Sequence, residues 1–271
     1  MAAYLQILSI SVALALAFAV LERLRPIERD QPRRRWLFNL AYTPFILALA
    51  LIVGMALGPV FARAAAAMDG GLLPDFGSPG ASVPAQIGFA LLYAFAVDFI
   101  QYWFHRMQHR LPFLWATHRF HHDETALNAA AQSRVHITSF FLLTVLHLPV
   151  ILLFGARAPH FVAVFIMFTL WGFVCHANVR IGFGRLTPVL TGPQLHRLHH
   201  SRLPQHRDCN FAGYFPVIDV LFGTYRKPGL DEYPPTGLGG AQPSSIYGAT
   251  VEPFVGWAGA LRGLARGSRR A

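Results

Sequence analysis

The chain is short of charge. Asp, Glu, Lys and Arg make up 13% of its 271 residues, about half the share of an ordinary soluble domain, while hydrophobic residues make up 54%. So little charge cannot cover a globular surface, and the composition points to an exterior solvated by lipid. Acidic residues are the scarcer sign, 13 against 23 Lys and Arg, for a formal net charge of +10. A basic excess can mark nucleic-acid binding, but none of the common recognition modules is present and no nucleic-acid partner is expected. Arginines beside membrane spans, drawn to anionic headgroups, account for the excess. Cysteine is nearly missing: Cys175 closes an apolar run and Cys209 follows a histidine cluster. Without a CxxC pair there is no thiolate zinc motif and no disulfide framework, and the two are read as unpaired thiols in a reducing compartment. Internal repeats and low-complexity tracts are also absent.

What the chain does have is a series of long apolar runs. Tyr4–Leu21 is long enough to cross a bilayer. Its charges follow it (Arg23, Arg25, Arg29, Arg33, Arg34 and Arg35), the opposite order from a cleaved signal, so it is read as a retained span with the N-terminus outside. Further spans are expected over about Leu37–Phe61 and Pro84–Phe104, with an outer loop through Gly70, Gly71, Pro74 and Pro79 between them. Ile137–Phe154 and Phe161–Cys175 read as a hairpin that crosses and returns, each near the lower length limit. Five spans leave 22–36, 105–136 and 176–271 on one side, and these hold 21 of the 23 Lys and Arg, all but Arg63 and Arg157. The positive-inside rule makes that side cytoplasmic. The expected fold is all-α: an integral-membrane bundle of about five spans under a cytoplasmic, histidine-rich metal-binding cap, in a bacterial inner membrane. Its organisation reads as 1–83, N-terminal spans and outer loop; 84–227, a di-metal domain; and 228–271, a cytoplasmic tail that ends in a candidate interfacial helix.

The chemistry is carried by histidines. His105 and His109 form HxxxH at the end of the third span; His118, His121 and His122 form HxxHH; His196, His199 and His200 repeat it. Residues three and four apart share a helix face, so each cluster presents its imidazoles toward one volume. Adjacent histidines point about 100° apart and serve two neighbouring metals. With 13 histidines in the chain, HxxHH should arise by chance roughly 0.03 times, so two copies are not a chance decoration of a membrane interface. Eight imidazoles exceed what one metal takes; two metals with four or five nitrogen ligands each keep open positions, and neutral ligands leave the centre its full positive charge. His176, just after the fifth span, and His136, just before the fourth, lie level with the clusters and raise the set to ten. His147 and His160 read as core or interface histidines, and His206 as a solvated loop histidine.

Two other classes are in play. A zinc-dependent membrane hydrolase acting on a lipid needs three ligands, an open position and a general base, for which Asp123 or Glu124 beside His122 would serve. A metal transporter needs polar ligands near the bilayer midplane, where these spans have almost none.

The pattern from about Tyr93 to Tyr225 resembles the fatty acid hydroxylase/sterol desaturase superfamily. The likeness rests on Asp98-Phe-Ile-Gln-Tyr-Trp-Phe-His105, both HxxHH motifs, His176-Ala-Asn178, Asp208-Cys-Asn210 and the closing Asp219-Val-Leu-Phe-Gly-Thr-Tyr225. It implies a membrane-bound non-haem di-iron oxygenase that hydroxylates or desaturates a lipid (a sterol, fatty acyl chain or related lipid) with O2 and two electrons; zinc can replace iron in preparations. The electrons are expected from a separate cytochrome b5- or ferredoxin-like donor. Supporting roles around the ligands are expected for Asp98, two helical turns before His105 and placed to accept an imidazole N–H; for Asp208 and Asn210, placed to orient the last cluster; for Arg134, toward a lipid headgroup or Asp123 or Glu124; and for Asn178. Some fatty acid hydroxylases carry a further HxxxH between the two HxxHH motifs. Here Arg180 stands four residues after His176, and His136 is expected to supply the missing ligand.

Overall fold

The structure is a computed structural model that describes residues 2–68, 71–73, 80–155 and 158–267. It is helical, and among the described residues only two isolated bridges, Pro26–Val179 and Ser201–Thr236, have β pairing. Three long helices come first: α1 (Ala2–Leu24), α2 (Arg33–Ala66) and α3 (Val83–Arg110). Most of the expected outer loop, 69–70 and 74–79, lies outside the described residues. A short α4 (Pro112–His122) turns back from α3, and a buried 3-10 turn (Ala129–Ser133) leads to α5 (Ile137–Leu146) and α6 (Leu148–Phe154). Then come α7 (Ala158–His176), α8 (Pro193–His199), α9 (Val217–Leu221) and α10 (Ile246–Gly267).

Among the described residues, four helical stretches are long and apolar enough to cross a membrane: Leu5–Leu24, Arg33–Ala66, Val83–Arg110 and Ile137–Phe154. Between 11% and 28% of their most apolar windows is buried inside the protein, so most of their side chains need lipid for solvent. The fifth apolar helix, α7, has a shorter described apolar part, Ile166–His176. The stretch 137–154 is broken at His147 rather than continuous. Pro149 has no N–H to give back to the preceding turn, and α6 restarts with it in its first turn.

α3 sets the height of everything else. Its 28 residues make a rod about 42 Å long, against a hydrocarbon layer of about 30 Å. The polar run from His105 to Arg110 occupies its last two turns, so the part of α3 that exceeds a hydrocarbon layer is its polar C-terminal end. Phe89, Tyr93 and Val97 of α3 pack on Val150 and Phe154 of α6 and Val164 of α7. Ala15 of α1, Ala129 and Ala130 of the 3-10 turn and Phe173 of α7 make a second core. Tyr42 and Ile46 of α2 hold Phe120 of α4 and Ala249 of α10. α4, α8 and the turns around them therefore form a cap over the projecting end of α3.

Candidate metal centre

Four segments deliver nine imidazoles to one place. α3 ends on His105 and His109, α4 on His118, His121 and His122, α7 on His176, and α8 carries His196 and His199 with His200 as its C-terminal cap. The rings fall into two groups: His105, His109, His118, His122 and His199 in one, His121, His176, His196 and His200 in the other. Within each group the candidate ligand atoms all lie within 4.8 Å of one another. Each adjacent pair is divided: His121 and His122 go to different groups, and so do His199 and His200. The groups abut through the stacked rings of His122 and His200, 4.4 Å apart.

The nitrogens behave as ligands rather than as hydrogen-bond partners. Nδ1 of His105, His176 and His199 faces the carbonyls of Phe211, Gly172 and Cys209, each at 2.8 Å. A carbonyl only accepts, so each Nδ1 carries the proton and each Nε2 turns a lone pair inward. Inside the groups Nε2 meets Nε2: His118 and His122 at 3.0 Å, His109 and His122 at 3.1 Å, His122 and His199 at 3.1 Å, His176 and His196 at 3.0 Å. His122 alone has three such neighbours, more than its one proton can satisfy. Burial, and then the neighbouring rings, push His118, His122, His196, His199 and His200 well below the ordinary histidine range, so they stand neutral. Converging lone pairs on neutral imidazoles are a donor set for borderline transition metals, and each group has the nitrogens to hold one metal ion.

The sequence prepares this locally. The arginine inside each histidine motif points away from the centre to an anchor. Arg119 reaches Glu252 of α10 at 3.4 Å, Arg197 pairs with Glu28 and donates to the Pro234 carbonyl, and Arg106 donates to the Tyr102 hydroxyl at 2.9 Å. These anchors hold the arginine side chains outside the centre. Asp208 and Asn210 both adopt φ 57°, a left-handed conformation that Asp and Asn tolerate better than most residues. That turn aims the Cys209 carbonyl at His199 and the Phe211 carbonyl at His105. Asp208 Oδ1 also stands 3.4 Å from His109 Nδ1, and this contact holds its carboxyl below the ordinary range. Gly172 works twice: its carbonyl takes His176, and a side chain there would fall on Gln132.

Several expected roles change. His136 belongs to neither group. Its Nδ1 accepts the Thr138 backbone N–H as the N-cap of α5, and its Nε2 donates to the Thr250 carbonyl at 3.1 Å, so no lone pair is left for a metal. Asp98 holds no imidazole. It accepts the backbone N–H groups of Gly213, Tyr214 and Phe215, fastening the loop whose Phe211 carbonyl meets His105. Arg134 is fully buried and faces no headgroup; it binds Asp123, Glu124 and Asn39 and lies over the Phe120 ring. Asn178 clamps the backbone of Glu28 through both ends of its amide, and Asn210 does the same for Arg226. His206 is buried, 2.9 Å from Ser201 Oγ and 3.0 Å from Glu232, rather than solvated. The side chain of His160 lies outside the described residues. Both cysteines are free and buried.

Two carboxylates had no role assigned from sequence. Asp219 accepts the N–H groups of Phe211 and Ala212 and the Thr224 hydroxyl. Glu22, at the end of α1, accepts those of Ala129 and Asn178. The signal was their scarcity: in a chain with 13 acidic residues, one set in an apolar run must find buried donors.

A cavity of about 240 Å³ opens between α3, α4 and α5 and reaches both groups, His105 and His118 of the first and His121 of the second.

A helical bundle with membrane-length spans and two converging polyhistidine groups beside a cavity defines a membrane metalloprotein class. Comparison with known proteins agrees. The family model described as fatty acid hydroxylase matches residues 90–224, and the chain belongs to the fatty acid hydroxylase/sterol desaturase superfamily. It is 37% identical over 130 residues to an alkylglycerol monooxygenase of Danio rerio, covering 48% of this chain and 28% of that protein. It is 27% identical over 241 residues to the ornithine lipid hydroxylase OlsE of Rhizobium tropici, covering 87% of this chain and 72% of that one. A Delta(7)-sterol 5(6)-desaturase of Gibberella zeae is 29% identical over 138 residues, 51% of this chain and 37% of its own length. The chain thus spans little more than a quarter of the alkylglycerol monooxygenase it matches. No solved structure matches it.

Proposed function

We propose that this protein is a membrane-bound di-iron oxygenase that hydroxylates or desaturates a lipid. The observation that carries the reading is the division of nine imidazoles into a five and a four, with one cavity touching both. Bound there, two irons would supply the O2 chemistry: a C–H bond, O2, two electrons and two protons give an alcohol and water. The chain's own part is positional. Backbone carbonyls fix the tautomer of three rings, Asp208 orients His109, and Asp98 and Asp219 hold the loop that supplies one of those carbonyls. The relatives' names offer alkylglycerols, ornithine lipids and sterols as substrate classes. A separate one-electron donor and a cytoplasmic placing of the centre belong to the same reading.

In the zinc hydrolase reading Glu124 is held by Arg134, Asn39 and the Ala126 N–H, whereas Asp123 binds Arg134 through Oδ1 and keeps Oδ2 without a hydrogen-bond partner. Nine imidazoles in two groups exceed what a three-ligand zinc site uses. Comparative lipid mass spectrometry of cells with and without the gene tests the proposal. A lipid class that gains an oxygen or loses a pair of hydrogens only when the intact gene is present supports it. Unchanged lipids alongside a hydrolysed product would overturn it.

A further inference from the structure

The cavity has room for roughly eight water-sized groups. One face of α3 lines it with Gln101, Phe104, His105 and Gln108, three and four residues apart. α4 contributes Thr117, and α5 contributes Ser139 and Leu143. Phe104, Phe140, Leu143 and Phe211 give it an apolar wall, set beside the imidazoles of the centre, Gln101 and a short hydrogen-bonded polar run. Gln108 Nε2 donates to Ser139 Oγ at 3.0 Å, Ser139 donates to Thr117 Oγ1 at 2.7 Å, and Thr117 donates to the Leu114 carbonyl at 2.7 Å. Both hydroxyl protons are spent within the run, which fixes its direction. What remains is on Gln108: its second amide N–H and its Oε1 have no partner among the described residues. Gln108 is 4% exposed and lines the cavity, so these two valences are available to a group bound there.

The lining also limits what that ligand is. Arg134 is its one charged residue among those described, and Asp123 and Glu124 already neutralise it. No side chain of the lining offers a free cation to a phosphate or a carboxylate. We propose that the cavity takes a lipid segment bearing an uncharged oxygen, as in a hydroxyl, ether, ester or amide, and that Gln108 recognises that oxygen. Ser139 and Thr117 fix the amide's orientation. Gln108 lies inside the first histidine motif, one turn from His105, so a group held on it stands beside the centre. The assignment deepens the oxygenase reading and rests on it for the oxidation of the bound lipid. The competing role is purely structural, a clamp joining α3, α4 and α5; a clamp would not select among ligands.

The test uses the full-length, metal-loaded protein in lipid nanodiscs under argon. Hexadecane and hexadecanol, each with a diazirine near the far end of the chain, are photo-cross-linked, and the yield on α3 and α5 peptides is read by mass spectrometry. The alcohol should label three- to tenfold more than the alkane, about one hydrogen bond's discrimination. Gln108→Leu should bring the ratio to about one, and Ser139→Ala should lower the ratio partway. Equal labelling in the wild type, or an unchanged ratio in Gln108→Leu, would overturn the assignment. If Gln108→Leu does not fold, an unchanged ratio in Ser139→Ala overturns it. Wild-type protein that labels as expected yet oxidises no lipid sinks the oxygenase reading and leaves the recognition by Gln108 standing.

Discussion

Asp208 sets its Oδ1 3.4 Å from Nδ1 of His109 while its own backbone turns left-handed. It is the one side-chain carboxylate at hydrogen-bonding reach of a grouped imidazole among the described residues; His105, His176 and His199 use backbone carbonyls instead. Asp208→Ala should therefore lower metal affinity of the first group about 10- to 100-fold, the usual cost of losing such a partner. Asp208→Asn, which keeps an acceptor and the left-handed preference, should recover most of it. Metal titration of the purified variants reads both, and equal affinities across wild type and both variants would remove Asp208 from the centre.

Metal content tests the two groups separately. Wild-type protein loaded anaerobically should hold two metals per chain. His199→Ala should weaken the first group and His121→Ala the second, and each should abolish lipid oxidation. Elemental analysis of a fully loaded, active sample that returns one metal per chain would sink the di-iron reading. Zinc in aerobic preparations would not, because imidazole sites accept it readily.

His136→Gln separates a cap from a ligand. Since both ring nitrogens are engaged by Thr138 and Thr250, metal stoichiometry should match wild type. The lost cap should cost about 1 kcal/mol, visible as a modest fall in melting temperature. Loss of one metal from the variant would restore His136 to the ligand set.

The membrane orientation is open to reporters. The sidedness of Lys and Arg predicts that a reporter after Arg35 or after Ala271 is cytoplasmic and one inserted at Gly80 is external. A cytoplasmic Gly80 would contradict the five-span arrangement with the N-terminus outside.

The histidine motifs were legible because helical spacing turns sequence distance into a shared face. His121 beside His122, and His199 beside His200, also showed in advance that two volumes were being served. His136 was misleading for the same reason. Depth along the chain places it level with the clusters, but whether a ring nitrogen is free depends on Thr250, 114 residues away in α10. Asp98 sits two turns from His105, and helical geometry made the two look like partners. The competing donors, three backbone N–H groups beyond residue 212, belong to a turn no periodicity reveals. The polar run Gln108–Ser139–Thr117 was invisible likewise, since each member lies in a different helix. The apolar runs themselves were plain, except that Pro149 divides one of them at His147.

The overhang of α3 gives the centre two supply lines from opposite directions. With the apolar part of α3 in the bilayer, as proposed, the last two turns, with His105 and His109, would stand in the dielectric step between lipid and water. Metal ions and the electrons of the proposed reaction would then arrive from the aqueous side without crossing hydrocarbon, where a bare charge is prohibitively costly. A hydrophobic reactant can slide in from the acyl layer without ever being solvated by water. A rod shorter by two turns would draw the rings down among the acyl chains and cut the first line; a longer one would strand them in water and cut the second.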